Sequence, residues 1–352
     1  MNHSTFSTGR RRLLPALLFL VLASTSPMAQ SAPKKMLVIT ESRGFTHGVV
    51  KRGDDGLCVV EKTLAHLGKS SGVFETVNSQ NAIEALTKDN LAKFDALFFY
   101  TTGTLIPAGE PREALLDFVK SGKAFIGAHS ATDTFADFKG YYQFINGTFN
   151  GHPWNAGTTS TFVNHEPSHP TVEMFPASFQ FKDEIYQYKN YDPKAVRVLL
   201  SLDMSGSNPK HPYLVPVAWV RTYGDGRLFY TNLGHNQSTW ENDMFQAHLI
   251  SGIRWAFKLI DGPSEPNPEV QALEFAKGFL VVHAGQEDWA PLYDKLVAKS
   301  IATPGSAQRV LPFMESVNQL GSVNKDTPPE QAAALKAKQA KALAHVLKMI
   351  EE

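Results

Sequence analysis

From Lys35 onward the chain alternates short apolar runs with polar loops and amphipathic stretches, and this rhythm predicts its architecture. Residues 35–40 form a compact apolar strand that opens into the polar, glycine-containing loop 41–47. A helix is predicted over 54–69, where Leu57, Val60, Leu64 and Leu67 recur on one face and Gly68 and Gly72 stand where it should stop. Further strands are predicted over 74–77 and 96–101. A short helix starts at Ala82, and a longer one over 110–120 carries Pro111 in its first turn. The apolar run 124–128 reads as a short buried strand, after which the composition changes abruptly to His129, Ser130, Thr132 and Asp133. Strand and helix alternating in this way predict an α/β fold built on a doubly wound, mostly parallel sheet.

The pattern loosens after Asp133. A short aromatic helix is predicted over 137–146, and a loop rich in Gly, Asn, Pro and His over 147–170. Residues 171–230 read as a β-rich insertion, with strands over 179–188 and 195–202 and a hairpin joining 217–220 to 227–230 across Tyr223-Gly-Asp-Gly226. An amphipathic helix follows over 244–257. The proline-rich stretch 262–269 is expected to be a linker, and 270–352 a helical extension with helices over 270–282, 290–300, 310–319 and 331–351. The expected organisation is thus a leader over 1–31, an α/β domain over 32–261, the linker, and the helical region 270–352.

Composition narrows the partners. Lys plus Arg equals Asp plus Glu, 34 of each, and no basic run lies beyond the N-terminus, so no nucleic-acid partner is expected. Arg10, Arg11 and Arg12, the apolar run 13–23 and the small-x-small site Ala29-Gln30-Ser31 read as a cleaved secretory signal. Its removal takes away three arginines and no acid, leaving 31 basic against 34 acidic residues. The expectation is a periplasmic or secreted protein with no stable membrane span once the signal is cut. The only cysteine, Cys58, rules out an intramolecular disulfide and a cysteine-rich metal site, and its apolar neighbours predict packing.

Four loops carry candidate chemistry, and each follows a predicted strand: Arg43 and His47; Thr101 and Thr104; His129, Ser130 and Asp133; Asn232, His235 and Asn236. Parallel strands would bring all four to the sheet edge where ligands bind in open α/β folds. Gly127-Ala-His-Ser-Ala131 lacks the second glycine of a nucleophile elbow, so Ser130 is a minor candidate nucleophile. A divalent metal would need several donors converging, and Asp133, Glu184, His152, His165 and His169 could supply them. Asp183 and Glu184, adjacent in a predicted strand, should face opposite ways, with Glu184 on the side of Tyr186. Phe45, Trp154, Tyr186 and Trp240 are the aromatics available to stack on a sugar ring.

Together, Gly44-Phe-Thr-His47, Gly127-Ala-His-Ser-Ala-Thr-Asp133, Gly147-Thr-Phe149, Gly151-His-Pro153, His169-Pro170, Asp183-Glu184-x-Tyr186 and the stretch from Gly226 to Gly234-His235 resemble the trehalose-utilisation (ThuA-like) family. The resemblance spans roughly residues 35–258 and implies a flavodoxin-like sheet similar to that of class I glutamine amidotransferases. Those enzymes place a cysteine at the strand-end elbow; His129 stands there in this chain. The resemblance further implies work on a disaccharide or a 3-keto sugar. The expected catalytic residues are His129 and His235, as acid and base or as metal ligands, assisted by Asp133 or Glu184. Arg43, His47, Thr101, Ser130, Tyr186, Asn232 and Asn236 are expected to bind the substrate. The rival expectation is a carbohydrate-binding or scaffold protein that keeps the cleft without performing a reaction.

Overall fold

In the computed structural model the described residues are 32–210, 212–284, 288–311 and 327–351, together with Met1 and His3. The rest of the predicted leader, and all but the first two residues of the helix expected over 310–319, lie outside them. The strands are β1 (Lys34–Ile39), β2 (Phe74–Ser79), β3 (Ala96–Phe99), β4 (Ala124–Ala128), β5 (Thr148–Phe149), β6 (Thr159–Asn164), β7 (Ser178–Lys182), β8 (Tyr188–Lys189), β9 (Arg197–Leu202), β10 (Pro216–Tyr223) and β11 (Gly226–Thr231). Nine of them form one sheet in the order β2-β1-β3-β4-β11-β10-β9-β6-β7, and β5 pairs with β8 separately. The first five strands of that order run parallel, in the flavodoxin-like arrangement with β11 as the fifth strand. The remaining four join antiparallel, so the β-rich insertion prolongs the same sheet beyond β11.

Helices cover both faces of the parallel half, because its strands bury alternate residues on opposite sides. Met36 and Val38 of β1 join one core, while Leu37 and Ile39 join the other. On the first face lie α1 (Val59–Ser71) and, further along the chain, α6 (Gln237–Trp240) and α7 (Asp243–Ala256). The second face carries α2 (Ala82–Ala85), α3 (Lys88–Leu91), α4 (Glu110–Lys120) and α5 (Lys139–Ile145). Leu64 and Ile253 fill the first core; Leu115 and Phe144 fill the second. Each such side chain, fully buried, stabilises the fold by roughly 1.5–3 kcal/mol.

Three expectations change. The first helix begins at Val59, because Gly53–Gly56 close a turn and the Cys58 N–H is taken by the Glu61 carboxylate (3.0 Å). Cys58 itself is free and buried, and burial pushes its thiol up to about 11. The stretch read as loop 147–170 contains β5 and β6; β6 was hidden because its inward positions include Ser160 and Asn164, whose polarity masks the alternation. The strand expected over 179–188 stops at Lys182 and resumes at Tyr188. Between them the backbone is held by distant partners: Ile185 N–H by Trp154 O (2.8 Å), Tyr186 N–H by the Asn232 side chain (3.1 Å) and Gln187 N–H by Gly151 O (2.9 Å).

The C-terminal helices α8 (Pro268–His283), α9 (Trp289–Ala302) and α10 (Pro329–Glu351) gather a third core around Phe275, Phe279 and Val346, with Tyr213 and Leu214 from the loop before β10. Gln271 donates to Pro193 O and Val196 O, and Tyr191 donates back to Gln271. Lys277 reaches down to Asp203 (2.8 Å) beside buried Glu274 (3.6 Å). The described residues within Pro33–Glu352 form one compact unit. Among the described residues no helix is long and apolar enough to cross a membrane.

Candidate functional site

The parallel half delivers three histidines to one edge. His47 follows β1, His129 follows β4 and His235 follows β11; in the sheet β11 adjoins β4, and β3 alone separates β4 from β1. Glu184 arrives from the insertion, in the gap between β7 and β8. One donor atom from each of His47, His129, Glu184 and His235 lies within 4.8 Å of the other three.

His129 stands at a bend of the backbone. Its φ of 43° is a left-handed conformation that a residue with a Cβ adopts only under constraint. The constraint is visible: Tyr230 Oη donates to His129 O (2.7 Å), and the His129 ring donates from Nδ1 to Asn232 O (2.7 Å). Gly127 lets this turn pack closely, since a Cβ there would meet Ala131 and Tyr230 at 3.1 Å. With Nδ1 bound to a carbonyl, Nε2 of the neutral ring carries the lone pair. That nitrogen faces His235 Nδ1 at 3.2 Å and Glu184 Oε1 at 3.7 Å. His235 Nδ1 is itself 3.1 Å from Glu184 Oε1. Either one proton on His235 is divided between its neighbours, or a cation stands among them.

The loop carrying His235 is fixed from several sides. Asp183, buried, accepts from the N–H groups of Gly234 (2.7 Å) and Asn236 (2.9 Å). Tyr100 and Trp240 both donate to Gly234 O. His47 has one ring nitrogen 3.1 Å from Tyr186 Oη, whereas its buried Nδ1 has no partner among the described residues. The Tyr186 ring lies over His129 with centroids 4.0 Å apart.

Burial and the neighbouring imidazoles of His129 and His235 drive the His47 pKa down to about 2, so it is a neutral ring ready to share a lone pair. Burial alone would raise Glu184, but the neighbouring imidazoles of His129 and His235 hold it well below the usual carboxylate range. His235 is raised: burial opposes its charge, and the Glu184 hydrogen bond and charge prevail. Burial of Asp133 pushes its carboxyl up to about 6. It lies outside the four-residue cluster, near enough for its charge to act on Tyr186 and Tyr230.

The other expected site residues fall into different roles. Arg43 is half-exposed and paired with Glu41 on the approach to His47. Thr101 is buried against the Thr134 hydroxyl (2.7 Å), and Ser130 Oγ is buried without a partner among the described residues. The Asn232 side chain clamps both backbone groups of Tyr186 (3.1 and 3.0 Å), and Asn236 donates to Ala156 O and Lys182 O. Asn232 thus spends both atoms of its amide on the backbone, and Asn236 spends its amide nitrogen. His152 touches Glu184, while His165 and His169 sit elsewhere, His169 bound to Thr171 and Pro263. Asp183 and Tyr230 are the residues that sequence reasoning gave no task; Asp183 was visible as Glu184's neighbour and Tyr230 within the Gly226–His235 motif.

A family model described as trehalose utilisation matches residues 35–256, the span that contains all four donors. The chain belongs to the ThuA family. Its structure is similar to that of a ThuA-like protein from Bacteroides uniformis, with a TM-score of 0.52 and 20% identity over 64% of this chain and 93% of the other. A ThuA-like protein from Parabacteroides merdae gives a TM-score of 0.50 and 16% identity over 69% and 99% of the two chains. At these identities the ThuA likeness in structure concerns the fold. No curated protein matches the chain.

Proposed function

We propose that this ThuA protein is an exported enzyme that acts on a disaccharide or its keto derivative at a divalent-metal centre formed by His47, His129, His235 and Glu184. The observation that carries the reading is the spacing of the donors. Ligands about 2.1 Å from a tetrahedral metal lie about 3.4 Å from one another. The distances of 3.1, 3.2 and 3.7 Å among His235, His129 and Glu184 bracket that value. Three imidazoles and one carboxylate are a donor set suited to first-row transition metals. The carbonyl-bound Nδ1 of His129 is the arrangement that fixes a ligating histidine's tautomer. His47, buried with an unpartnered nitrogen, fits the same reading.

Such an ion would polarise a carbonyl or lower the pKa of a water. The protein's own groups supply the rest. Asp133, half-buried and poised near pH 6, serves to take or return a proton. Phe45 is 66% exposed and its ring meets the edge of His47 at 4.8 Å, whereas Trp154, Trp240 and Tyr186 are at most 2% exposed. Of the aromatics considered for sugar stacking, Phe45 is therefore the one free to do it. The family's association with trehalose utilisation supports a disaccharide, and the basic and apolar pattern of residues 10–31 supports export.

The test is metal analysis of the purified protein, followed by incubation with oxidised and unoxidised disaccharides before and after chelation. The expected result is one bound metal per chain and turnover that chelation removes and metal restores. Absence of both would end the proposal. Sugar binding that survives His129→Ala, with no product from either protein, would reassign the cleft to binding.

A further inference from the structure

Glu184 presents its two oxygens to different neighbours. Oε1 faces His235 and His129, and Oε2 faces His152 Nδ1 at 3.2 Å. His152 stands outside the four donors and is about half exposed, while Glu184 is buried.

The contact is built by the backbone. Residues 150–154 run beside 185–187, with hydrogen bonds from Asn150 N to Gln187 O (2.9 Å), Gln187 N to Gly151 O (2.9 Å) and Ile185 N to Trp154 O (2.8 Å). His152 and Glu184 thus sit on two strands of chain laced together on both sides. Gly151, at φ +100°, makes the bend that turns His152 inward, and a Cβ there would press on Gln187 Nε2 at 3.3 Å. Phe149 supports the imidazole from one side, with rings nearly parallel and centroids 6.1 Å apart. Below it, Lys210 donates to Pro153 O (2.6 Å) and lies over the Trp154 ring at 4.9 Å.

From this geometry we infer that His152 is a positioning residue. The contact of its Nδ1 with Glu184 Oε2 holds the carboxylate so that it offers one oxygen, Oε1, to the histidine cluster. The inference rests on the proposed metal centre and deepens it, because a carboxylate free of His152 could rotate and bind through both oxygens. One-oxygen ligation holds the protein to four ligand atoms, so that substrate or water could enter as a fifth.

Co2+ titration of chelator-treated protein tests this, because the intensity of the ion's visible absorption reports its coordination number. His152→Ala is expected to weaken Co2+ binding about 10- to 100-fold, the usual cost of losing such a partner. It should also weaken the visible bands as the carboxylate turns two-toothed. His152→Asn, whose amide can place a donor where Nδ1 stood, should restore both affinity and spectrum. Circular dichroism on all three proteins identifies any loss of fold, and should His152→Ala not fold, His152→Gln takes its place. Unchanged affinity and spectrum in the folded variant would overturn the role of His152 while leaving the metal centre intact. Wild-type protein that binds neither Co2+ nor Zn2+ would overturn both.

Discussion

Two of the buried groups of ionisable side chains among the described residues are composed on opposite principles. Under α8, Lys277 stands between Asp203 and Glu274, and the charges close upon one another. Asp203 is held low despite burial by Lys277 and Ser205. At the edge of the parallel strands, three imidazoles converge with one carboxylate, and a nitrogen of His47 has no partner among the described residues. The first group is complete as it stands and pins a helix to a sheet. The second leaves one of its nitrogens unmatched. Burial and perturbed ionisation are common to both, so neither property separates a site from a brace; the unmatched donors do.

The contrast can be broken most directly at its extremes. His129→Ala should lower turnover of a keto disaccharide by on the order of 1000-fold and deplete bound metal, with the fold retained by circular dichroism. Lys277→Ala should do the reverse: turnover within about two-fold of wild type, but a loss of about 3–5 kcal/mol in urea unfolding as Asp203 and Glu274 are left buried without their partner. An enzyme in which Lys277→Ala abolished turnover of folded protein would erase the distinction.

Glu274 offers a finer test. Burial raises its pKa to about 7, against the opposing pull of Lys277, from an ordinary value of 4.5. Below pH 4.5 both folded and unfolded chains hold the proton. As pH rises toward 7 the unfolded chain releases it first, so this residue's stabilising share falls by roughly 3 kcal/mol, at about 1.4 kcal/mol per pKa unit. Unfolding free energies measured from pH 4.5 to 8 should show that decline, and Glu274→Gln should flatten it. The smallest effect is expected at the mouth of the site. Phe45→Ala should raise KM about ten-fold, the order of one lost stacking contact, with kcat and metal content unchanged, and Phe45→Tyr should restore KM. A fall in kcat with unchanged KM would remove Phe45 from substrate recognition.

Much of the parallel half was legible because its strands are fully buried and so read as unbroken apolar runs, Ala96–Phe99 and Ala124–Ala128 above all. Once those were parallel, His47, His129 and His235 had to share an edge. The insertion was harder to read. β6 carries inward polar residues, and Asn164 is buried because it donates to Val172 O and Phe175 O, partners no local pattern announces. The duties of Asn232 and Asp183 depend on partners 46 and 51 residues away, so an amide that looked suited to sugar proved to be a clamp, and an acid set aside proved to hold the His235 loop. Adjacent Asp183 and Glu184 do face different tasks, but through irregular backbone rather than strand alternation.

The placement of the insertion between β4 and β11 also governs when the site can exist. β11 is the fifth strand of the parallel set and carries His235 at its end, yet roughly a hundred residues must be looped out before it can dock against β4. Contacts of such long range form late and slowly. During folding, an early β1–β3–β4 nucleus would hold His47 and His129 but lack both Glu184 and His235. The assembled cluster is consequently a marker of the finished chain, and the rate at which it acquires a ligand after dilution from denaturant would time the last step of folding.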